Sequence, residues 1–126
     1  MSLVLVIDDE ETVRDSIELA LEDTGYQVVA ACDGEDGVAR AIELRPDMIF
    51  LDLNMPGIDG VETLRRIRAA GVDSPVYIAT AFMPSYLDAL AAAAKEGLVF
   101  GLGQKPLSSA QILMITQGQI KGLQES

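Results

Sequence analysis

The sequence predicts an alternating α/β chain built on one parallel sheet, and three observations lead there. Short runs of branched apolar residues recur along the chain. Segments with helical periodicity separate them, and nothing is left over for a second domain. The 126 residues suit one domain, and 49% apolar content is enough for a layered core.

Leu3 to Ile7 is a continuous apolar run, the pattern of a strand buried on both faces. Val13, Ile17 and Leu21 recur every four residues among charges, which predicts an amphipathic helix stopped near Gly25. Tyr26 to Ala31 reads as the second strand. Val38, Ala39 and Ile42 mark the second helix, which must end before Pro46. Asp47 to Leu51 is the third strand, and Val61, Leu64 and Ile67 mark the third helix, followed by Gly71. Pro75 to Ala79 is the fourth strand, and the alanine-rich span Leu87 to Ala94 is the fourth helix. Leu98 to Leu102 reads as a weaker fifth strand because Gly101 interrupts it. Ser108 to Leu123 closes the chain as a fifth helix whose end Gly118 and Gly122 weaken. Such alternation implies right-handed crossovers with helices on both faces and a site at the carboxyl ends of the strands.

Composition narrows the chemistry. Twenty acids against nine bases give a formal charge of −11, which disfavours direct contact with nucleic acid. The absence of histidine excludes a Ser-His-Asp or Cys-His pair and imidazole metal ligands. One cysteine, Cys32, excludes a disulfide framework within the chain and a cysteine-rich zinc site. No apolar stretch approaches a membrane span, and the N-terminus lacks the features of a signal peptide, so a cytoplasmic protein is expected.

The strand ends carry the informative residues. Strand one runs into Asp8, Asp9, Glu10 and Glu11; strand three into Asp52, Leu53, Asn54, Met55, Pro56 and Gly57. Strand four runs into Thr80, and strand five is followed by Lys105 and Pro106. Singly, each has an ordinary explanation as a helix cap, turn residue or surface lysine. Brought to one sheet edge, the carboxylates Asp8, Asp9 and Asp52 repel one another unless a cation joins them. Hard oxygen donors without histidine or thiolate favour Mg2+, with Mn2+ as the alternative. Asp52 would be a carboxylate nucleophile toward phosphorus, with Lys105 and Thr80 placed to meet phosphoryl oxygens.

These motifs — Val6-Ile7-Asp8-Asp9-Glu10, Asp52-Leu53-Asn54-Met55-Pro56-Gly57-Ile58-Asp59-Gly60, Ala79-Thr80-Ala81 and Lys105-Pro106 — resemble the response-regulator receiver domain of two-component signalling, of the chemotaxis-regulator kind. The resemblance covers nearly all of residues 1–126. It implies a flavodoxin-like, doubly wound, five-stranded parallel sheet in strand order 2-1-3-4-5 with five helices. It also implies a conformational switch rather than a turnover enzyme, phosphorylated on Asp52 by a histidine kinase or histidine phosphotransfer protein. Asp8 and Asp9 match the acidic pair that holds Mg2+. Asn54 matches the residue whose backbone carbonyl completes the metal site. Thr80 matches the switch hydroxyl, and Lys105 the lysine that pairs with the phosphoryl group, its bond to Pro106 expected to be cis. A downstream protein target, or an output domain beyond this chain, is the implied recipient of the signal.

Several residues depart from the family pattern. Leu102 stands where an aromatic residue usually precedes the lysine by three. Phe100 shares its strand parity and is the candidate to replace it. Phe82 and Met83 follow the switch threonine, where polar residues are common, and predict slow loss of the phosphoryl group. Tyr86, Leu87 and Leu90 read as helix core or a partner surface. The span Asp8 to Asp23 holds eight acids against Arg14 alone, which reads as a solvated helix face or a steering surface for a basic partner. Two competing functions are weighed. Phosphohydrolases of the haloacid-dehalogenase type also use an aspartate nucleophile, Mg2+ and lysine. They place an acid two residues after the nucleophile, where this chain has Asn54. A degenerate receiver that only mediates contacts would not need the complete charge cluster.

Overall fold

The computed structural model describes residues 2–81 and 83–125, without the side chains of residues 83 and 121–125. The expectation of slow phosphoryl loss, placed on Phe82 and the Met83 side chain, therefore lies outside the described residues.

Elements alternate as β1 (Leu3–Ile7), α1 (Glu11–Ala20), β2 (Gln27–Ala31), α2 (Gly34–Leu44), β3 (Met48–Leu51), α3 (Gly60–Ala69), β4 (Val76–Thr80), α4 (Leu87–Lys95), β5 (Gly101–Gln104) and α5 (Ser109–Glu125). A 3-10 turn, Met83–Tyr86, precedes α4. The strands form one sheet in the order β2-β1-β3-β4-β5, and every pairing is parallel. Parallel strands need crossovers, and the helices between them cover both faces. Ile17 of α1, Leu21 just past its end and Ile112 of α5 pack with Val4, Val6, Met48 and Phe50 on one face. Leu64, Ile67, Leu90 and Ala93, from α3 and α4, pack with Leu5, Ile7, Ile49, Leu51 and Ile78 on the other.

The central strands behave as their composition predicts. All four residues of β3 are buried, as are Val4 to Ile7 of β1, so both faces of each strand are sealed. Helices α2 and α3 start where carboxylates cap them: Asp33 accepts from the Asp36 amide at 2.8 Å and Asp59 from the Glu62 amide at 2.9 Å.

The fifth strand departs from expectation. The sequence pattern predicts Leu98 to Leu102, whereas pairing runs over Gly101–Gln104. The backbone of the earlier residues is engaged elsewhere. The Leu98 amide donates to Ala93 O at 3.1 Å and closes the end of α4. The Val99 carbonyl accepts from the Arg68 guanidinium at 3.2 Å, and the same guanidinium also holds Val72 O and Ser74 O. Pairing begins where glycines meet the ring of Tyr77. A Cβ at Gly101 would lie 2.7 Å from Tyr77 Cδ2, and one at Gly103 would collide with the Tyr77 hydroxyl. Tyr77 in turn packs edge-to-face on Phe50 of the neighbouring strand, ring centroids 6.1 Å apart. The glycines that made this strand look weak are thus what lets an aromatic side chain lie across the sheet edge.

Phe100 cannot take the place of the absent strand aromatic. It precedes β5, packs against the α3–α4 core, and lies four residues before Gln104, the partner of Thr80. That is about 13 Å at ~3.3 Å per residue. Leu102 occupies the expected position and is 40% exposed. Of the three residues read as core or partner surface, Leu90 is buried, Tyr86 is half-buried against the core, and Leu87 is exposed.

Candidate functional site

Asp8, Asp52 and Lys105 each stand just past a strand, and their own amides still belong to the sheet ladder. The Asp8 amide donates to Ala31 O at 3.1 Å, the Asp52 amide to Ile7 O at 3.0 Å, and the Lys105 amide to Thr80 O at 3.0 Å. The ladder therefore sets where each of these three side chains leaves the sheet. Asp8 and Asp52 are buried, at 3% and 4% exposure. Thr80 ends β4, is fully buried, and lies in register with Gln104.

The third strand's turn depends on a close approach. Gly60 opens α3 directly against the Asp52 carbonyl, and its amide donates to Leu53 O at 2.9 Å. A Cβ there would collide with the Asp52 backbone, so only glycine lets the loop fold back under the carboxylate. Gly57, with φ at 82°, makes the bend after Pro56.

Lys105 reaches into the carboxylates. Its Nζ lies 2.8 Å from Asp8 Oδ2, 3.4 Å from Asp52 Oδ1 and 3.5 Å from Glu10 Oε1. The Lys105–Pro106 bond is cis. The second oxygen of Asp8 accepts from the Glu10 amide at 2.9 Å, and Arg14 donates to the Asp8 carbonyl at 2.8 Å. Asn54 lies on the β3–α3 loop, exposed, and accepts at Oδ1 from the Tyr86 hydroxyl at 3.4 Å.

One ammonium does not balance these acids. Burial, reinforced by the charge of Asp8, pushes the Asp52 carboxyl up to about 6 despite Lys105 beside it. Burial likewise raises Asp8, against the pull of Lys105 and the Glu10 amide. Lys105 is held above the usual lysine value because its bond to Asp8 and the surrounding acids outweigh its own burial. One ligand oxygen from each of Asp8, Asp9, Glu10 and Asp52 falls within 4.8 Å of the others. Four carboxylates against one lysine leave room for a divalent cation, and the all-oxygen donor set fits Mg2+. Of the residues the sequence singles out, Asp8, Asp9, Asp52 and Lys105 come together; Thr80 joins them through its backbone, whose carbonyl accepts from the Lys105 amide, and Asn54 is exposed on the loop after Asp52. The sequence carries no sign that Glu10 approaches Lys105, because the acidic run to which it belongs reads as a solvated helix face or a steering surface.

A family model described as the response regulator receiver domain matches residues 4–117. The chain belongs to that family. Receiver domains of response regulators are phosphoacceptor switches of two-component systems. Among related proteins, the transcriptional regulatory protein AfsQ1 of Streptomyces coelicolor is 43% identical over 81 residues, 64% of this chain and 36% of that protein. The receiver thus spans little more than a third of that relative's length. Among solved structures, the chemotaxis protein CheY4 of Vibrio cholerae superposes with a TM-score of 0.78 at 29% identity, covering 94% of this receiver and 98% of that chain. A receiver domain protein from Clostridium thermocellum gives 0.83 at 28% identity, covering 98% of both chains. Their shared fold agrees with the strand order observed here. Among the described residues, no helix of the receiver is long and apolar enough to cross a membrane.

Proposed function

We propose that residues 1–126 form one phosphoacceptor domain in which Asp52 accepts a phosphoryl group from a phosphohistidine of a partner. An Asp52 carboxylate oxygen attacks phosphorus, the phosphorus–nitrogen bond of the donor breaks, and the departing imidazole takes up a proton. The observation that carries this reading is the position of Lys105 Nζ within 3.4 Å of carboxylate oxygens of both Asp8 and Asp52. Asp8, Asp9, Asp52 and the Asn54 backbone carbonyl would hold Mg2+, or Mn2+, with Glu10 at hand. A bound ion would neutralise charge on the phosphoryl oxygens. Lys105 would leave Asp8 to pair with a phosphoryl oxygen, and the Thr80 hydroxyl would donate to another.

The domain assists its own phosphorylation and dephosphorylation but does not turn over substrate as an enzyme. Its upstream partner is a histidine kinase or histidine phosphotransfer protein in the cytoplasm. Its downstream partner is a protein target or an output domain, with no direct contact to nucleic acid or membrane. Incubation with acetyl phosphate and Mg2+ should add ~80 Da, one phosphoryl group, to the parent and nothing to Asp52→Asn. An unmodified parent, or equal labelling of both proteins, would overturn the reading.

A further inference from the structure

The start of α4 is built differently from the starts of α2 and α3. Those two are capped by the carboxylates of Asp33 and Asp59, whereas the cap position of α4 is Tyr86, which makes no side-chain cap. Helix α4 also follows a 3-10 turn, a geometry with poorer hydrogen bonds and a frequent hinge. What holds Tyr86 is its side chain. The ring packs half-buried against the α3–α4 core, and the hydroxyl crosses to Asn54 Oδ1, two residues beyond Asp52. At 3.4 Å this bond is long, so it directs the two loops more than it stabilises them. The hydroxyl also lies within the field of the acids: burial first, then the charges of Asp59 and Asp52, make its proton harder to lose.

We infer that Tyr86 is a positioning residue whose hydroxyl ties the acceptor loop, through Asn54, to the first turn of α4, so that a change of charge at Asp52 is passed to that helix. The inference rests on Asp52 being the phosphoacceptor. A phosphoryl group adds about −1.5 to −2 charge at that point. The added charge pulls harder on a hydroxyl donor already within its field and competes for the carboxamide that the hydroxyl holds. Both effects act on the residue immediately before α4. A ligand shifts a conformational equilibrium only through such a differential interaction. The position of the usual strand aromatic offers no equivalent: Leu102 carries no polar atom on its side chain, and Phe100 precedes β5, at the end away from Gln104.

The test uses beryllofluoride with Mg2+ as the phosphoryl mimic and reads amide hydrogen exchange in Leu87–Lys95. In the parent, saturation should change the protection of these amides by about fivefold or more, the lower end of ordinary coupling. Tyr86→Phe keeps the ring and removes the hydroxyl. It should still bind the mimic while its α4 response falls below about twofold. A Tyr86→Phe response equal to that of the parent, or a parent that binds the mimic without any response in α4, would overturn the inference and leave the phosphoacceptor reading standing. A parent that does not bind the mimic would overturn both. A second measurement needs no variant: in tyrosine labelled with 13C at the hydroxyl-bearing carbon, the Tyr86 signal should move on saturation more than those of Tyr26 and Tyr77. A stationary Tyr86 signal would also overturn the inference.

Discussion

The two sides of the site are built from opposite materials. Asp8 and Asp52 are carried by β1 and β3, central strands whose residues next to the site are sealed on both faces. Lys105 is carried by β5, a four-residue edge strand with two glycines and a partly exposed leucine. The acids are thus held by burial, and the lysine by register and the charges it meets. Buried apolar strands can carry a costly charge because the surrounding core resists rearrangement. The edge strand needs only to deliver an ammonium, and the acids complete its placement.

This contrast can be tested from either side. The largest effect is expected for Lys105→Met, which strands Asp8 and Asp52 without their cation. Removing one partner of a buried pair costs ~3–5 kcal/mol. Urea unfolding should show that loss without Mg2+ and recover part of it when Mg2+ is added. Full stability of the variant without metal would mean that the acids need no counter-charge.

Asp52→Asn should act in the opposite direction. A carboxyl raised from 3.8 to about 6 binds its proton more tightly in the folded than in the unfolded chain. Its ionisation therefore costs stability above about pH 6, and that cost fades as pH falls toward about 4. Without Mg2+, the asparagine variant should be more stable than the parent at about pH 7 by ~2–3 kcal/mol. The gap should narrow on acidification. A gap that widened on acidification would show that Asp52 is net stabilised in its charged form.

On the lysine side, Gly103→Ala places a methyl group against the Tyr77 hydroxyl and should cost ~1–3 kcal/mol by overpacking. Combining it with Tyr77→Leu should recover much of that cost, which a double-mutant cycle would measure. The smallest effect is expected for Leu102→Ala, whose side chain is 40% exposed: within about 0.5 kcal/mol by thermal unfolding. A loss comparable to a core leucine would place this edge inside an interface in solution.

The same contrast explains what could be read in advance. β1 and β3 were recognisable because a strand buried on both faces must be apolar throughout, and α1 and α3 because one helical face must be. The acidic cluster followed, since parallel strands bring their carboxyl ends to one edge. β5 was misplaced by three residues at its start because an edge strand bears no such constraint. Its beginning is decided by Arg68 from α3 and Tyr77 from β4, residues distant in sequence. The contacts of Glu10 and Tyr86 escaped for a related reason: neither side chain shows its destination in its neighbours.

By itself, then, the sequence determined the alternation of elements, the strands that lie at the centre, and the meeting of Asp8, Asp9, Asp52, Thr80 and Lys105 at one edge. These follow from local periodicity and from the geometry of parallel crossovers, which act along the chain. Only the tertiary structure decided where β5 pairs, that Glu10 approaches Lys105, and that Tyr86 spans from α4 to the acceptor loop. Those depend on side chains from different elements competing for the same space and the same hydrogen-bonding groups, a competition settled only once the elements have packed.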